Sequence, residues 1–244
     1  LIAPTAQGKT EAAFLPLLSR MLREEWRGLS VLYVCPLRAL LNNLHPRLER
    51  YAGLMGRRAG LWHGDIPDSV RRRILSDPPD VLLTTPESIE VMLTSRRVDR
   101  PWLFGGLRAV VIDELHAFAG DDRGWHLLSV LERVARIAGR DVQRVGLSAT
   151  IGNPEALLDW LAGSSAGPRR VVSAASGPAA EADVRVDHVG SIENAAHVVS
   201  RLYTDEKRLV FCDSRSRVED LTYALREAGV EAWASHSSLS APER

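Results

Sequence analysis

The sequence predicts an α/β protein whose strands form a parallel sheet. Two features carry that expectation. Short apolar runs rich in β-branched residues alternate with longer amphipathic stretches. Residues suited to chemistry fall directly after those runs, at the strand ends where open α/β sheets bind their ligands.

Strands are expected at Val31–Cys35, Gly60–His63, Val81–Thr84, Ala109–Asp113, Val142–Ser148 and Arg170–Ser173. Helical patterns lie between them, at Thr10–Glu25, Leu37–Tyr51, Pro67–Leu75, Pro86–Thr94, Gly124–Ala138 and Pro154–Leu161, the last with Asn153 placed to cap it. Residues 174–183, AASGPAAEAD, are small, polar and broken by Gly and Pro, and read as a linker. A first domain is therefore expected over 1–173 and a second over 184–244. The second restarts the alternation, with strands at Val184–Val189, Leu209–Cys212 and Val230–Ser235 and helices at Ile192–Tyr203 and Ser216–Ala228.

The two halves share a faint repeat. Residues 31–53 and 208–229 each carry a strand ending in Cys, an Arg three residues on, and a helix ending near Ala-Gly. Each is followed by a strand and a histidine, His63 or His236. Common α/β patterning would give part of this likeness; the order of matched residues favours a duplicated domain.

Composition sets outer bounds. The 244 residues carry 31 basic and 31 acidic side chains, which excludes a uniformly basic nucleic-acid binder but not a local basic groove. No run is apolar enough to span a membrane, and the two cysteines, Cys35 and Cys212, form no C-x-x-C pair. A reduced, cytoplasmic setting is the default expectation. Lys9 and Lys207 are the only lysines, every other basic residue being arginine. A lysine inside Gly8-Lys9-Thr10 is informative against that background, because a compact ammonium fits between phosphate oxygens.

Residues 3–10, APTAQGKT, end like a phosphate-binding loop, with Ala3 where the common pattern has its first glycine. In such a loop Thr5, Ala6, Gln7 and Gly8 would offer backbone N–H groups, Lys9 would reach the β- and γ-phosphates, and Thr10 would ligate Mg²⁺. Taken alone, the stretch is equally the start of an ordinary helix. The segment VVIDELHAF, 110–118, decides between them: an apolar strand ends in adjacent carboxylates, Asp113 to hold Mg²⁺ and Glu114 to orient or deprotonate water. Downstream of Gly-Lys-Thr, that pair points to a nucleoside triphosphate hydrolysis site. Ser148-Ala149-Thr150 follows a further strand; its order matters more than its composition.

APTAQGKT, CPLRAL, TTPESIE, DELH and SAT, in that order, resemble motifs I, Ia, Ib, II and III of superfamily 2 helicases. VFCDSRSRVEDL resembles the motif IV region and ASHSSLSAPER the stretch after it, so the likeness runs through both domains. The runs at 113–134 and 144–163 look most like the large helicase-related (Lhr-type) group of DExH proteins. The resemblance implies a RecA-like ATP-binding domain followed by the start of a second RecA-like domain, in a fragment of a longer protein. It implies an ATP- and Mg²⁺-dependent helicase or translocase acting on DNA or RNA, with 3′ to 5′ movement on single-stranded DNA expected from the Lhr-type group. Lys9, Asp113 and Glu114 would be catalytic. His116, Ser148 and Thr150 would couple hydrolysis to domain movement. Arg38, Thr85, Pro86 and Glu87, and more weakly Ser214 and Arg215, would lie along the nucleic-acid backbone. Solvated charge is a near-equal reading of Arg38, and packing on the sheet a lesser one for His116. The arginine runs at 57–58, 71–73 and 96–97 read better as solvated faces, and Trp62 and Trp125 as packing residues rather than base-stacking platforms.

The resemblance also carries departures. The family's adenine-reading segment and arginine finger are not found in these 244 residues, and such a finger contributes roughly 10³–10⁵ in rate; the chain taken alone is expected to bind nucleotide better than it hydrolyses it. A clamp that binds nucleic acid under ATP control without processive unwinding is the rival reading. A metabolic kinase is more distant, since it leaves TTPESIE and SAT unexplained. Ala6-Gln7 stands where Gly-Ser is more usual. The expectation is that the backbone avoids positive φ at Ala6, so that the methyl is tolerated and its N–H faces phosphate.

Overall fold

The computed structural model describes residues 1–149, 151–173, 184–202 and 206–236. The chain divides into two compact units, Leu1–Pro178 and Ala179–Arg244; the expected linker at 174–183 lies outside the described residues.

The first unit is a RecA-like α/β domain built on five parallel strands: β1 (Val31–Val34), β2 (Ala59–Trp62), β3 (Val81–Thr84), β4 (Ala109–Ile112) and β5 (Gln143–Gly146). Their spatial order is β2-β3-β1-β4-β5. Strands β1, β3 and β4 are buried along their whole length, so their sequences are continuous apolar runs instead of alternating ones. Successive side chains still point to opposite faces. Val31, Tyr33, Val81, Leu83, Ala109 and Val111 pack under α1 (Lys9–Arg23) and α2 (Arg38–Leu54). Leu32, Val34, Leu82, Val110 and Ile112 pack under the opposite layer, which includes α4 (Pro86–Thr94), the short α5 (Arg100–Phe104) and α6 (Asp122–Ala138). Helices α3 (Asp68–Ser76) and α7 (Pro154–Ala162) complete the layers. Each buried Leu, Val or Phe contributes about 1.5–3 kcal/mol relative to exposure, and this double-sided burial holds the sheet.

Register places the chemistry. Val34 lies opposite both Thr84 and Ile112, Trp62 opposite Thr84, and Ile112 opposite Gly146. Cys35, His63, Thr85, Asp113 and Leu147 therefore leave the sheet in one row at its carboxyl edge.

Several expectations are corrected. Helix α5 has no periodic signal because it is a single turn; it is set by Asp99, whose side chain accepts from the Trp102 amide, and by Pro101 in its first turn. Residues 170–173 do not form a ladder strand. Their neighbour is the short extended stretch at Leu1–Ala3, and contact is limited to the Ile2 amide donating to the Val172 carbonyl at 2.8 Å and one bridge, Ile2 to Ser173. Asn153 occupies the cap position of α7 but makes no side-chain cap; Pro154 opens that helix without an amide needing one.

In the second unit the helices form as α8 (Ile192–Arg201) and α9 (Arg215–Glu227), capped by Ser191 and Ser214. Ala196, Leu221 and Leu225 make their shared core. The runs at 184–189, 209–212 and 230–235 make no strand ladder among the described residues. Without paired neighbours several of their apolar side chains stay exposed, Val186 and Phe211 at 93% and 85%, whereas Cys212, Val230 and Ala232 pack partly buried against the helices.

Candidate nucleotide site and nucleic-acid groove

The loop at 3–10 leads into α1, whose N-cap is Gly8 at φ 74° with no side-chain cap. The first amides of α1 are thus left to a ligand, the arrangement that makes helix N-termini bind anions. Lys9 folds back across the loop, its Nζ donating to the carbonyls of Ala3 at 2.7 Å and Pro4 at 3.1 Å. The expectation for Ala6 is overturned: its φ is +63°. Two left-handed residues, Ala6 and Gly8, fall in one short loop, and alternating backbone hand of this kind gathers successive amides into an anion-binding concavity. Ala6 accepts local strain that glycine would avoid.

Glu114 is a second strained position, at φ 49°. Among the described residues three non-glycines have positive φ, and two of them, Ala6 and Glu114, lie in this site. Strain of about 1–3 kcal/mol per residue persists only where surrounding structure enforces it. At Glu114 the enforcing contacts are visible. Its amide donates to Asp113 Oδ1 at 2.9 Å, and the Leu115 amide donates to the Leu147 carbonyl at 2.8 Å.

The second oxygen of Asp113 accepts a hydrogen bond from the Tyr33 hydroxyl at 2.8 Å. The Thr10 hydroxyl lies beside the same phenol. Tyr33 is fully buried; burial, then the Asp113 charge, pushes its ionisation far up, so it stays a donor. The sequence reading missed Tyr33, because a tyrosine inside a strand reads as core. Cys35 lies 3.9 Å from the same carboxylate oxygen, and burial, followed by the Asp113 and Glu114 charges, raises its thiol pKa. It is a neutral packing residue here.

His116 joins two of the expected motifs. Its Nδ1 is 3.1 Å from Ser148 Oγ and its Nε2 is 3.5 Å from Glu114 Oε2. Ser148 also touches the opening loop, its carbonyl accepting from the Ala3 amide at 3.3 Å. Lys9, Thr10, Asp113, Glu114, His116 and Ser148 thus converge; Thr150 lies outside the described residues.

A groove of about 390 Å³ opens further along the same sheet edge, lined by Pro36, Arg38, His63, Arg71, Thr85 and Glu87 among others. Arg38 holds Asp65 at 2.7 Å and passes over Gly64, where a Cβ would sit 2.8 Å from its guanidinium. Arg71 donates to the carbonyls of His63 and Gly64. The Thr85 hydroxyl is turned to its own helix: it caps α4, accepting from the Ser88 amide at 3.4 Å, with Ser88 Oγ at 3.1 Å. Pro86 opens α4. Glu87 accepts from Arg123 Nε at 2.7 Å; burial raises its pKa, but that hydrogen bond and its neighbours outweigh burial and the net direction is down. Trp62 is buried in the core whereas Trp125 is exposed. In the second unit the Ser214 hydroxyl accepts from the Arg217 amide as the cap of α9, and Arg215 is the first residue of that helix.

A larger cavity, about 600 Å³, runs along the outer edge of β5. Part of its charged lining is engaged within the fold: Arg144 pairs with Glu132 and Arg169 with Asp159. It lacks the convergent polar groups of the loop site.

Comparison with known proteins matches residues 1–157 to the DEAD/DEAH box helicase family. The chain is 35% identical to the Lhr helicase/probable uracil glycosylase of Mycolicibacterium smegmatis, with 95% of this chain and 17% of that protein covered. It is 31% identical to the ATP-dependent helicase Lhr-Core of Methanothermobacter thermautotrophicus, covering 98% of this chain and 31% of that one. A solved structure of Mycobacterium smegmatis helicase Lhr bound to ssDNA and AMP-PNP superposes with a TM-score of 0.78 at 33% identity, over all of this chain and 35% of that one. The chain therefore spans between about a sixth and about a third of the length of these relatives.

Proposed function

The chain belongs to the DEAD/DEAH box helicase family, and we propose that it forms the ATP-binding part of an Lhr-type motor that couples ATP hydrolysis to movement on single-stranded DNA. The observation that carries this reading is the convergence of three separated segments on one strand edge: the loop ending in Lys9-Thr10, the Asp113-Glu114 pair, and Ser148 joined to them through His116. The ligand of the Lhr relative, ssDNA with a non-hydrolysable ATP analogue, supports the choice of substrate and cofactor.

The residues present fit a Mg²⁺-bound triphosphate. Left-handed Ala6 and Gly8 shape the loop for an anion, and Tyr33 keeps Asp113 beside Thr10. Among the described residues no cluster of three metal-ligating side chains exists, as suits an ion that takes part of its coordination from phosphates. When bound, Mg²⁺ would neutralise charge on the phosphates, with Thr10 and Asp113 holding it. The amides of Thr5 to Thr10 would bind the phosphates, and Lys9 would exchange its two carbonyl partners for phosphate oxygens. Glu114 would accept the proton of the attacking water. His116, between Glu114 and Ser148, would register the state of that carboxylate and pass it to the segment after β5.

Arg38, Thr85, Pro86 and Glu87 would line the path of the nucleic-acid backbone, with Ser214 and Arg215 the corresponding positions in the second unit. Residues 184–244 would be the start of a second RecA-like domain. One likeness between the units supports this: His63 Nε2 pairs with Asn42 Oδ1 at 2.9 Å and His236 Nε2 with Glu219 Oε1 at 3.0 Å, each partner four residues beyond the arginine that opens its helix.

The test is Glu114→Gln in the intact protein. ATP affinity is expected to persist while DNA-stimulated turnover falls by about two orders of magnitude or more. Unchanged turnover would remove Glu114 from the base position. Strand displacement on a tailed duplex separates a motor from a clamp, which would show DNA-stimulated ATPase without unwinding.

A further inference from the structure

We propose that Arg123 is a positioning residue that couples the nucleic-acid groove to the Asp113-Glu114 turn. The inference rests on the reading of that groove given above. Arg123 follows the first residue of α6, and its guanidinium reaches three separate segments. Nη2 donates to the Pro36 carbonyl at 2.6 Å, directly before the segment bearing Arg38. Nε donates to Glu87 at 2.7 Å, in the first turn of α4. The guanidinium carbon lies 5.4 Å from the centroid of the Phe118 ring.

Phe118 supplies the other half of the connection. It is fully buried and ends the turn that begins at Glu114 and includes His116. The turn is locked against α6: a Cβ on Gly124 would stand 1.8 Å from the Phe118 carbonyl oxygen, and the Gly124 amide donates to the Asp121 side chain at 2.9 Å. Only glycine permits that approach, and it holds Arg123 over the Phe118 ring. The planar fork of arginine satisfies a carbonyl and a carboxylate in fixed directions while its flat face rests on an aromatic ring; a lysine ammonium has no flat face and cannot hold all three contacts in that geometry. A nucleic-acid strand that shifts the Pro36 or Glu87 segment therefore shifts Arg123, and through Phe118 the turn that carries Glu114.

The experiment uses the intact protein with Arg123→Ala and Arg123→Lys. Three quantities are read: affinity for a fluorescent ATP analogue, the kcat of ATP hydrolysis at saturating single-stranded DNA, and the DNA concentration giving half-maximal stimulation. Loss of charge-assisted hydrogen bonds of this kind is expected to lower the stimulated kcat by roughly tenfold or more. The half-saturating DNA concentration should move much less than kcat, and nucleotide affinity should hold. Arg123→Lys keeps the charge and the stem, guards against simple unfolding, and should show the same loss. Wild-type kcat in both variants would overturn the proposal. So would an unchanged kcat with a large rise in half-saturating DNA, which would make Arg123 a plain strand contact. If the wild-type protein shows no DNA-stimulated hydrolysis at all, the functional reading fails first and this inference falls with it.

Discussion

Ala6→Gly is expected to stabilise the protein, and the size of the effect follows from the backbone. Ala6 sits at φ +63° in an exposed turn, where an L-residue with a Cβ pays about 1–2 kcal/mol relative to the right-handed region. Glycine removes that cost but enlarges the freedom of the unfolded chain, giving back about 0.4–1 kcal/mol. The net is a gain of about 0.5–1 kcal/mol. Gly8→Ala runs the same arithmetic backwards. Its φ is +74° and a Cβ there meets nothing within 4 Å, so the penalty is conformational alone and the net loss should be of similar size. Urea unfolding followed by tryptophan fluorescence reads both. With m near 1–3 kcal/mol/M, the midpoint should rise by about 0.2–1 M for Ala6→Gly and fall by a like amount for Gly8→Ala, with m unchanged. A lower midpoint for Ala6→Gly, or a higher one for Gly8→Ala, would refute the claim that the loop holds these residues left-handed. Nucleotide affinity supplies a cross-check. If both positions shape the anion cradle by φ alone, Ala6→Gly leaves ATP binding intact.

Two further outcomes are expected. Tyr33→Phe keeps the packing but removes the donor to Asp113, a hydrogen bond to a charged group of about 1.5–3 kcal/mol; the Mg²⁺ concentration for half-maximal binding of a fluorescent ATP analogue should rise several-fold, and an unchanged Mg²⁺ titration would show that Tyr33 only fills space. Glu132 tests the acid side. Burial pushes its pKa up, but the Ser164 hydroxyl and amide and the Arg144 guanidinium outweigh burial and bring it down to about 2 from 4.5. A lowered folded pKa means the stabilisation is fully present above about pH 4.5 and is lost as pH falls toward 2. The gap sets an upper limit of ~3.4 kcal/mol, which partial exposure cuts to about 1–2 kcal/mol. Glu132→Gln should cost that amount at pH 7, progressively less as pH falls below about 4.5, and almost nothing at and below about pH 2; a cost independent of pH would refute the assignment.

What could be read from the sequence, and what could not, separates by distance along the chain. The three central strands of the first unit were legible because a strand buried on both faces must be a continuous apolar run, as in Val31–Val34 and Ala109–Ile112. The motifs were legible because each is local: Gly8-Lys9-Thr10 or Asp113-Glu114 carries its chemistry within a few residues. Backbone hand was not. Side-chain identity at Ala6 argues for a right-handed conformation, and the requirement that a short loop present several amides to one point overrides it. Strands in the second unit were misread for a related reason: a run such as Leu209–Cys212 has the composition of a buried strand, but composition does not supply the neighbour that makes a ladder.

The residues that tie the site together were the least legible, since each acts on a partner far away in sequence. Tyr33 meets Asp113 across 80 positions and Arg123 meets Pro36 across 87. Tyrosine in a strand and arginine near a helix start are ordinary in those places, so nothing local marks them. A signal existed only jointly. In a parallel sheet whose strands run in register, Tyr33 must sit one residue before the end of β1 and Asp113 one residue past the end of the neighbouring β4. A phenol on the α1 face then reaches across the strand end to the carboxylate and to Thr10 at the start of the helix above it. Once the strand order is known, that contact follows from register and alternation. The site is therefore set by the sheet, and the motif residues are its visible ends.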